Sequence, residues 1–322
     1  MNFANHTILA VARLRNRVVG VLVIALGFVA HSAIAQSFKR VAVQGGATLV
    51  QIASGGASVW ALSSSGNPYI YQGTQFVKAS GVTLSQIAVG GGSKAQGDAV
   101  WALDSAHNVY KANKSGTSWV FTKMPGSLSI IAVGLGYRDA CHRYEIWGLD
   151  PALQIYRYNF CIKNWENIPG ELRTLAVGND SVWGIYGEDQ LYRFDFGTFN
   201  FSRFYVGGIA VSKVTAGENG VWMLSCNKYG GCQPFQYNAG TQVFMEMKTG
   251  IHTNVTDIQA GGDGVWGLTS SGPQDGIFRL DSLDSLSFLD QVPGALASIS
   301  VGSGGGVWGM DATGQVFAFS TP

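Results

Sequence analysis

The strings LSIIAVG (residues 128–134) and IWGL (146–149) belong to a frame that this chain uses seven times. The first string is apolar-x-x-apolar-x-x-Gly. The same frame begins at Leu49, Leu84, Leu128, Leu172, Val211, Val255 and Leu296 and closes on Gly55, Gly90, Gly134, Gly178, Gly217, Gly261 and Gly302. A tryptophan follows each closing glycine by 5 to 13 residues, giving Trp60, Trp101, Trp147, Trp183, Trp222, Trp266 and Trp308. Seven of the nine tryptophans therefore share one register, spaced 36 to 46 residues apart. That period suits propeller blades and is longer than the turns of leucine-rich or ankyrin solenoids.

Each unit reads as four short strands. The frame itself carries small and aliphatic residues on both faces, as an inner strand covered from both sides does. Its glycine permits a tight turn into the tryptophan strand. A polar turn, such as DSAHN at 104–108 or DATGQ at 311–315, leads to a third strand. There an aromatic stands nine residues after the tryptophan in five units, at Tyr69, Tyr110, Tyr156, Tyr192 and Phe317, and insertions delay it to Phe235 and Phe278 in the others. The fourth strand carries an aromatic and often ends in Pro-Gly, as in WVFTKMPG (119–126) and WENIPG (165–170). Proline cannot donate to a ladder, which places this strand at the sheet edge.

The last unit ends on VFAF (316–319), a third strand, whereas FKRVAV (38–43) precedes the first frame and reads as a fourth strand without a unit. Pairing the two would complete an all-β, seven-bladed propeller of four-stranded blades, closed by the N-terminal strand. Closure protects all but the short outer edges. The competing architecture is an open stack, which needs polar capping repeats.

Residues 1–35 lie outside the repeat. Three arginines, Arg13, Arg15 and Arg17, precede the apolar run 18–30, and AIA at 33–35 offers small residues for cleavage. This pattern predicts a secretory signal peptide cut after Ala35, leaving residues 36–322 as one propeller domain. An uncleaved anchor is the alternative, but the run falls short of the ~20 apolar residues that span a bilayer. The mature chain then holds 18 basic against 20 acidic residues, a formal charge of −2. No basic excess of the kind that binds nucleic acid is present.

Export makes the cysteines legible. Cys141 and Cys161 are equidistant from a turn at Pro151, and Cys226 and Cys232 from Tyr229. Residues equidistant from a hairpin turn face each other across the pair, so each couple is expected to form a cross-strand or turn-closing disulfide in an oxidising compartment. Zinc is the alternative, but two pairs without C-x-x-C spacing make a poor ligand set. Neither metal nor cofactor is expected.

The units resemble the tectonin repeat, through IAVG (131–134), IWGL (146–149), IYRY (155–158) and WENIPG (165–170) and their equivalents over about residues 38–319. Known tectonin-type proteins are β-propellers, and several are lectins that recognise bacterial lipopolysaccharide or modified sugars. The resemblance thus implies an exported glycan-binding propeller. The well-described lectins of this type have six blades against seven units here, so individual sugar contacts do not carry over.

Residues between the repeat glycine and tryptophan are the candidate carbohydrate ligands: Asp98, Asn179, Asp180, Glu218, Asn219 and Asp263 occupy equivalent loops. Carboxylates and amides beside aromatic faces suit sugar hydroxyls, although turn preference alone also explains them. Trp119 and Trp165, on outer strands, are the aromatics freest to stack on a ligand. The seven strand tryptophans read instead as wedges between units. Units two and three lengthen the same connection, and the second extension adds Tyr137 and His142. Neither a G-x-S-x-G nor an H-E-x-x-H motif is present, and only His107, His142 and His252 remain after the leader, so no enzyme is expected. The partners expected are glycans or glycoconjugates, with a protein-interaction scaffold as the rival reading.

Overall fold

The computed structural model describes residues 37–91, 97–136, 140–142, 144–178, 181–227, 231–247, 255–269, 276–282, 285–288 and 296–320. The expected leader, Tyr137, Asn179 and Asp180 lie outside the described residues. Apart from two single 3-10 turns, Gln44–Gly46 and Ala140–His142, every regular element described is a strand. β1 (Ser37–Val43) precedes the first repeat, which forms β2 (Leu49–Ser54), β3 (Val59–Ser63), β4 (Pro68–Tyr71) and β5 (Gln75–Lys78). The other repeats follow the same plan. The fourth runs Thr174–Gly178, Ser181–Tyr186, Gln190–Asp195 and Asn200–Phe204, each strand antiparallel to the one before it.

Five repeats each form a separate four-stranded sheet, while the first and last share an eight-stranded one because β1 joins them. β1 runs antiparallel to Val316–Ser320, from Ser37 opposite Ser320 to Val41 opposite Val316. It then pairs in parallel with β5, at Ala42 opposite Gln75 and Val43 opposite Phe76. Phe38 thereby reaches the place that an outer-strand aromatic occupies in other repeats.

The repeat tryptophans pack as wedges. Trp60 meets Trp119 and Phe121 of the next repeat, at 4.9 and 5.8 Å between ring centroids. Trp147 meets Phe194 and Phe201 at 4.7 and 5.8 Å, and Trp266 meets Phe319 and Phe38 at 4.6 and 5.9 Å. Trp308 of the last repeat meets Tyr71 and Phe76 of the first, at 4.7 and 5.6 Å. Edge-to-face pairs of this kind add about 0.5–1.5 kcal/mol each beyond the area they bury. The third-strand aromatics in contact, Tyr71, Tyr158, Phe194, Tyr237 and Phe319, stand two residues beyond Tyr69, Tyr156, Tyr192, Phe235 and Phe317, the aromatics singled out in the sequence. Period two puts both sets on one face of the strand.

Inner strands abut closely enough that the repeat glycines are required. A Cβ on Gly217 would lie 2.3 Å from the Ala260 carbonyl oxygen, and one on Gly302 would lie 2.2 Å from that of Gly55. The third residue of the frame links neighbours as well. The Gln51 amide donates to Ile87 O and accepts from Ile87 N, both at 3.0 Å, Gln86 repeats the clasp on Ile131, and Lys213 ion-pairs with Asp257.

Both disulfides form as paired from the sequence. Cys226 stands directly opposite Cys232 in the ladder. Cys141 and Cys161 do not face each other in the ladder. The ladder matches Trp147 with Arg157, two residues out of phase with the cysteines, and a 3-10 turn carries Cys141 outside the strand. That bridge instead ties the lengthened connection of unit three to the turn after its third strand, where Phe160 N donates to Cys141 O.

Candidate functional site

In the first five units the connection after the inner strand and the turn after the third strand lie at the same end of the sheet. The opposite end carries the polar turn between second and third strands. Asp104, Asp150 and Asp311 build that turn, each Oδ1 accepting from the backbone N–H groups two and four residues on, all at 2.9 Å. Burial raises the Asp311 carboxyl, but the hydrogen bonds from Gln315 N and Thr313 outweigh it and hold the group below its ordinary value. Asp104 behaves likewise, with Asn108 as the main donor.

The sequence candidates at the first end are largely engaged by the protein itself. The Asp98 carboxylate crosses to unit one and accepts from Gly56 N (2.8 Å), Ala57 N (3.1 Å), Ser58 N (2.7 Å) and Ser58 Oγ (2.6 Å). Burial pushes this carboxyl above its ordinary value, against the pull of those donors. Asn219 donates to Gly261 O, and Asp263 accepts from Arg279 at 3.4 Å. Glu218 borders a cavity of about 370 Å³ to which the inner strands of all seven repeats contribute, and is the only charged residue among its described lining. His142, buried, lies 3.4 Å from Glu166 Oε2 beside the Cys141 bridge. Trp119 is half-buried against Trp60. Trp165 packs on Trp101 at 5.8 Å and donates to Pro125 O at 2.8 Å.

One motif escaped the sequence reading. Arg157, Arg193 and Arg279 lie opposite Trp147, Trp183 and Trp266 in the ladders, with the guanidinium 5.6, 5.3 and 5.6 Å from the indole centroid. These are cation–π contacts. In unit three Glu145, wholly buried, accepts from Arg157 Nη2 (2.6 Å) and Nε (2.9 Å) and from Trp147 Nε1 (2.8 Å). A basic residue ten positions after the tryptophan, at Arg157 and Arg193, was the available signal.

An open cleft of about 360 Å³ lies between the outer strands of repeats three and four. Repeat three contributes Pro169 and Glu171; repeat four contributes Tyr186, Tyr192, Asn200 and Phe201. Glu171 is held in place, since Tyr186 Oη donates to its Oε2 and Gln154 Nε2 donates to its Oε1 at 3.3 Å. That hydrogen bond, with the charge of Glu171 behind it, raises the Tyr186 hydroxyl above its ordinary value. Tyr192 Oη donates to Gln190 Oε1 at 3.3 Å. Aromatic faces, a fixed carboxylate and an amide converge on space open to solvent, the equipment of a small polar ligand site. Among the described residues, no group of three or more His, Cys, Asp or Glu is placed to hold a metal ion.

The tectonin domain model matches residues 48–193 and 200–321. The chain belongs to the tectonin family. No curated protein sequence matches it. Among solved structures, YCF48 bound to a D1 peptide is similar at 12% identity and a TM-score of 0.62, covering 91% of this chain and 100% of that one. YCF48 from Cyanidioschyzon merolae follows at 12% and 0.59, with coverages of 88% and 98%. The WD40 propeller domain of Doa1 matches at 11% and 0.56, with 86% and 94%. At these identities the likeness concerns the fold alone, and that fold is the β-propeller. Among the described residues of this tectonin, no helix is long and apolar enough to cross a membrane.

Proposed function

We propose that this tectonin is an exported, seven-bladed propeller, closed by β1 on its last repeat, that binds carbohydrate without transforming it. The pairing of β1 with Val316–Ser320 and the packing of Trp308 on Tyr71 and Phe76 support a closed ring. Two disulfides support an oxidising compartment, and with it the signal peptide read over residues 1–35. The observation that carries the carbohydrate reading is the cleft between repeats three and four, where Tyr186 and Tyr192 offer ring faces beside Glu171 and Asn200. Glu218, Trp119 and the other connection residues are secondary contacts in this reading, because most already bond within the protein. A non-catalytic role fits the state of the acids: Glu145, Asp98 and Asp263 are each engaged by internal donors.

The test is a glycan array probed with the oxidised mature chain and with Tyr192→Ala. Binding by the parent that the variant loses, at unchanged circular dichroism, supports the reading; a folded parent that binds no glycan refutes it. A specific observation favours the rival scaffold reading. Ile162 and Phe199, on third-strand turns of the same two repeats, are 62% and 42% exposed, as apolar anchors for a polypeptide partner would be. Retention of a partner that survives Tyr192→Ala and is lost with Ile162→Asp would favour it.

A further inference from the structure

The hydrogen-bonding balance of the cleft identifies its ligand more closely, on the reading that the cleft binds carbohydrate. Each tyrosine hydroxyl has one proton and two lone pairs. Tyr186 spends its proton on Glu171 and Tyr192 spends its proton on Gln190, so both present oxygen lone pairs to the cleft. Glu171, ionised, accepts only. Its two oxygens are each fixed by one donor, from Gln154 and Tyr186, which leaves further acceptor capacity on a carboxylate that need not reorganise. The amide oxygen of Asn200 is already bonded by Phe201 N at 2.9 Å, so its NH₂ is the side-chain donor of the set. Glu171 is the only charged residue among the described lining; the nearby Arg173 guanidinium is paired with Asp189. The described lining of the cleft thus carries a single negative charge and is rich in acceptors and poor in donors, with the apolar surfaces of Pro169 and Phe201 at its sides; Arg203, opposite Tyr192 in the ladder, stands outside that lining.

We infer that the cleft between repeats three and four selects a sugar carrying a free, protonated amine over its N-acetylated, neutral or phosphorylated counterparts. An ammonium supplies three donors and a positive charge, and its hydrogen bonds to a carboxylate are among the strong ones. The sugar ring lies against Tyr186 or Tyr192 through its C–H face. Acetylation removes the charge and two donors, and phosphate sets anion against anion, leaving the acceptors unmatched.

The test is surface plasmon resonance of the oxidised mature chain over immobilised β-glucosaminides, with N-acetylglucosaminides, glucosides, glucose 6-phosphate and lysine on parallel surfaces, at about pH 6, where the amine is protonated. The expected result is at least a tenfold preference for the glucosaminide over the others, which shrinks several-fold on raising salt from ~0.05 to ~0.5 M. Glu171→Gln keeps the shape of an exposed side chain and should equalise glucosaminide and glucoside while the thermal midpoint is unchanged. Equal binding of glucosaminide and N-acetylglucosaminide by the parent overturns the amine assignment and leaves the carbohydrate reading standing. Equal binding of lysine overturns the assignment to a sugar. No binding to any of the sugars overturns both.

Discussion

Glu145 and Arg157 form the most deeply buried ion pair described in this fold, with side chains 1% and 3% exposed. Removing one member should expose how much the wedge between repeats three and four depends on it. Glu145→Leu leaves the Arg157 guanidinium without its two carboxylate bonds, enclosed between the rings of Trp147 and Phe196. An orphaned buried charge costs about 3–5 kcal/mol, and the unsatisfied indole N–H of Trp147 adds about 1–3 kcal/mol. Arg157→Met leaves the carboxylate with one donor, Trp147, and should cost about 3–5 kcal/mol. The double variant removes both charges and leaves mainly the indole N–H unpaired, so its loss should return to about 1–3 kcal/mol. Equilibrium urea unfolding of the oxidised chain, with the slope checked for constancy, reads all three. Additive losses, or single losses below about 1 kcal/mol, would refute the argument that the pair acts as one buried unit.

Other consequences follow from the same geometry. Gly217→Ala sets a methyl against the Ala260 carbonyl and should lower stability by about 1–3 kcal/mol, whereas Gly81→Ala, which faces open space on a backbone that any residue can adopt, should cost far less; equal losses in thermal denaturation would remove the close-approach argument. Phe38→Ala deletes a side chain buried against Trp266 and Phe319 and should cost about 3–5 kcal/mol, while a loss near zero would mean that β1 does not seal the last sheet. Reducing the Cys141–Cys161 bridge, which spans 20 residues, should cost about 3 kcal/mol, measured on Cys141→Ser/Cys161→Ser. Asp104 and Asp311 sit below their ordinary carboxyl values in the fold. Their contribution is therefore present above the unfolded-state value and is lost as pH falls through the folded one. Asp104→Asn/Asp311→Asn should flatten the fall in urea midpoint between about pH 5 and pH 3, and an unchanged slope would contradict the assignment.

The strands were legible because the signal repeats: a frame, a glycine and a tryptophan in one register specify an inner pair wherever they recur. The partner of β1 was legible for a simpler reason, since a repeat lacking an outer strand and an outer strand lacking a repeat are complementary. The site was much less so. Asp98 and Asp263 read as free polar groups in loops, and nothing local shows that Ser58 or Arg279 will take them up, because those contacts cross units or strands. The partnership of Cys141 with Cys161 could be read by symmetry, but the 3-10 turn that displaces them from the ladder could not. Tyr192 stood out only as a strand aromatic. That it lines one cleft with Tyr186 and with Glu171 of the preceding repeat depends on how two sheets sit side by side, which no spacing within one unit encodes.

Carbohydrate binding in the cleft between repeats three and four is the proposal on which the others rest. A crystal of residues 36–322, with both disulfides formed, soaked with a β-glucosaminide tests it. Density for the sugar is expected in the cleft lined by Tyr186 and Tyr192, with the amine within hydrogen-bonding distance of Glu171. Sugar bound elsewhere on the molecule with this cleft left empty would contradict it.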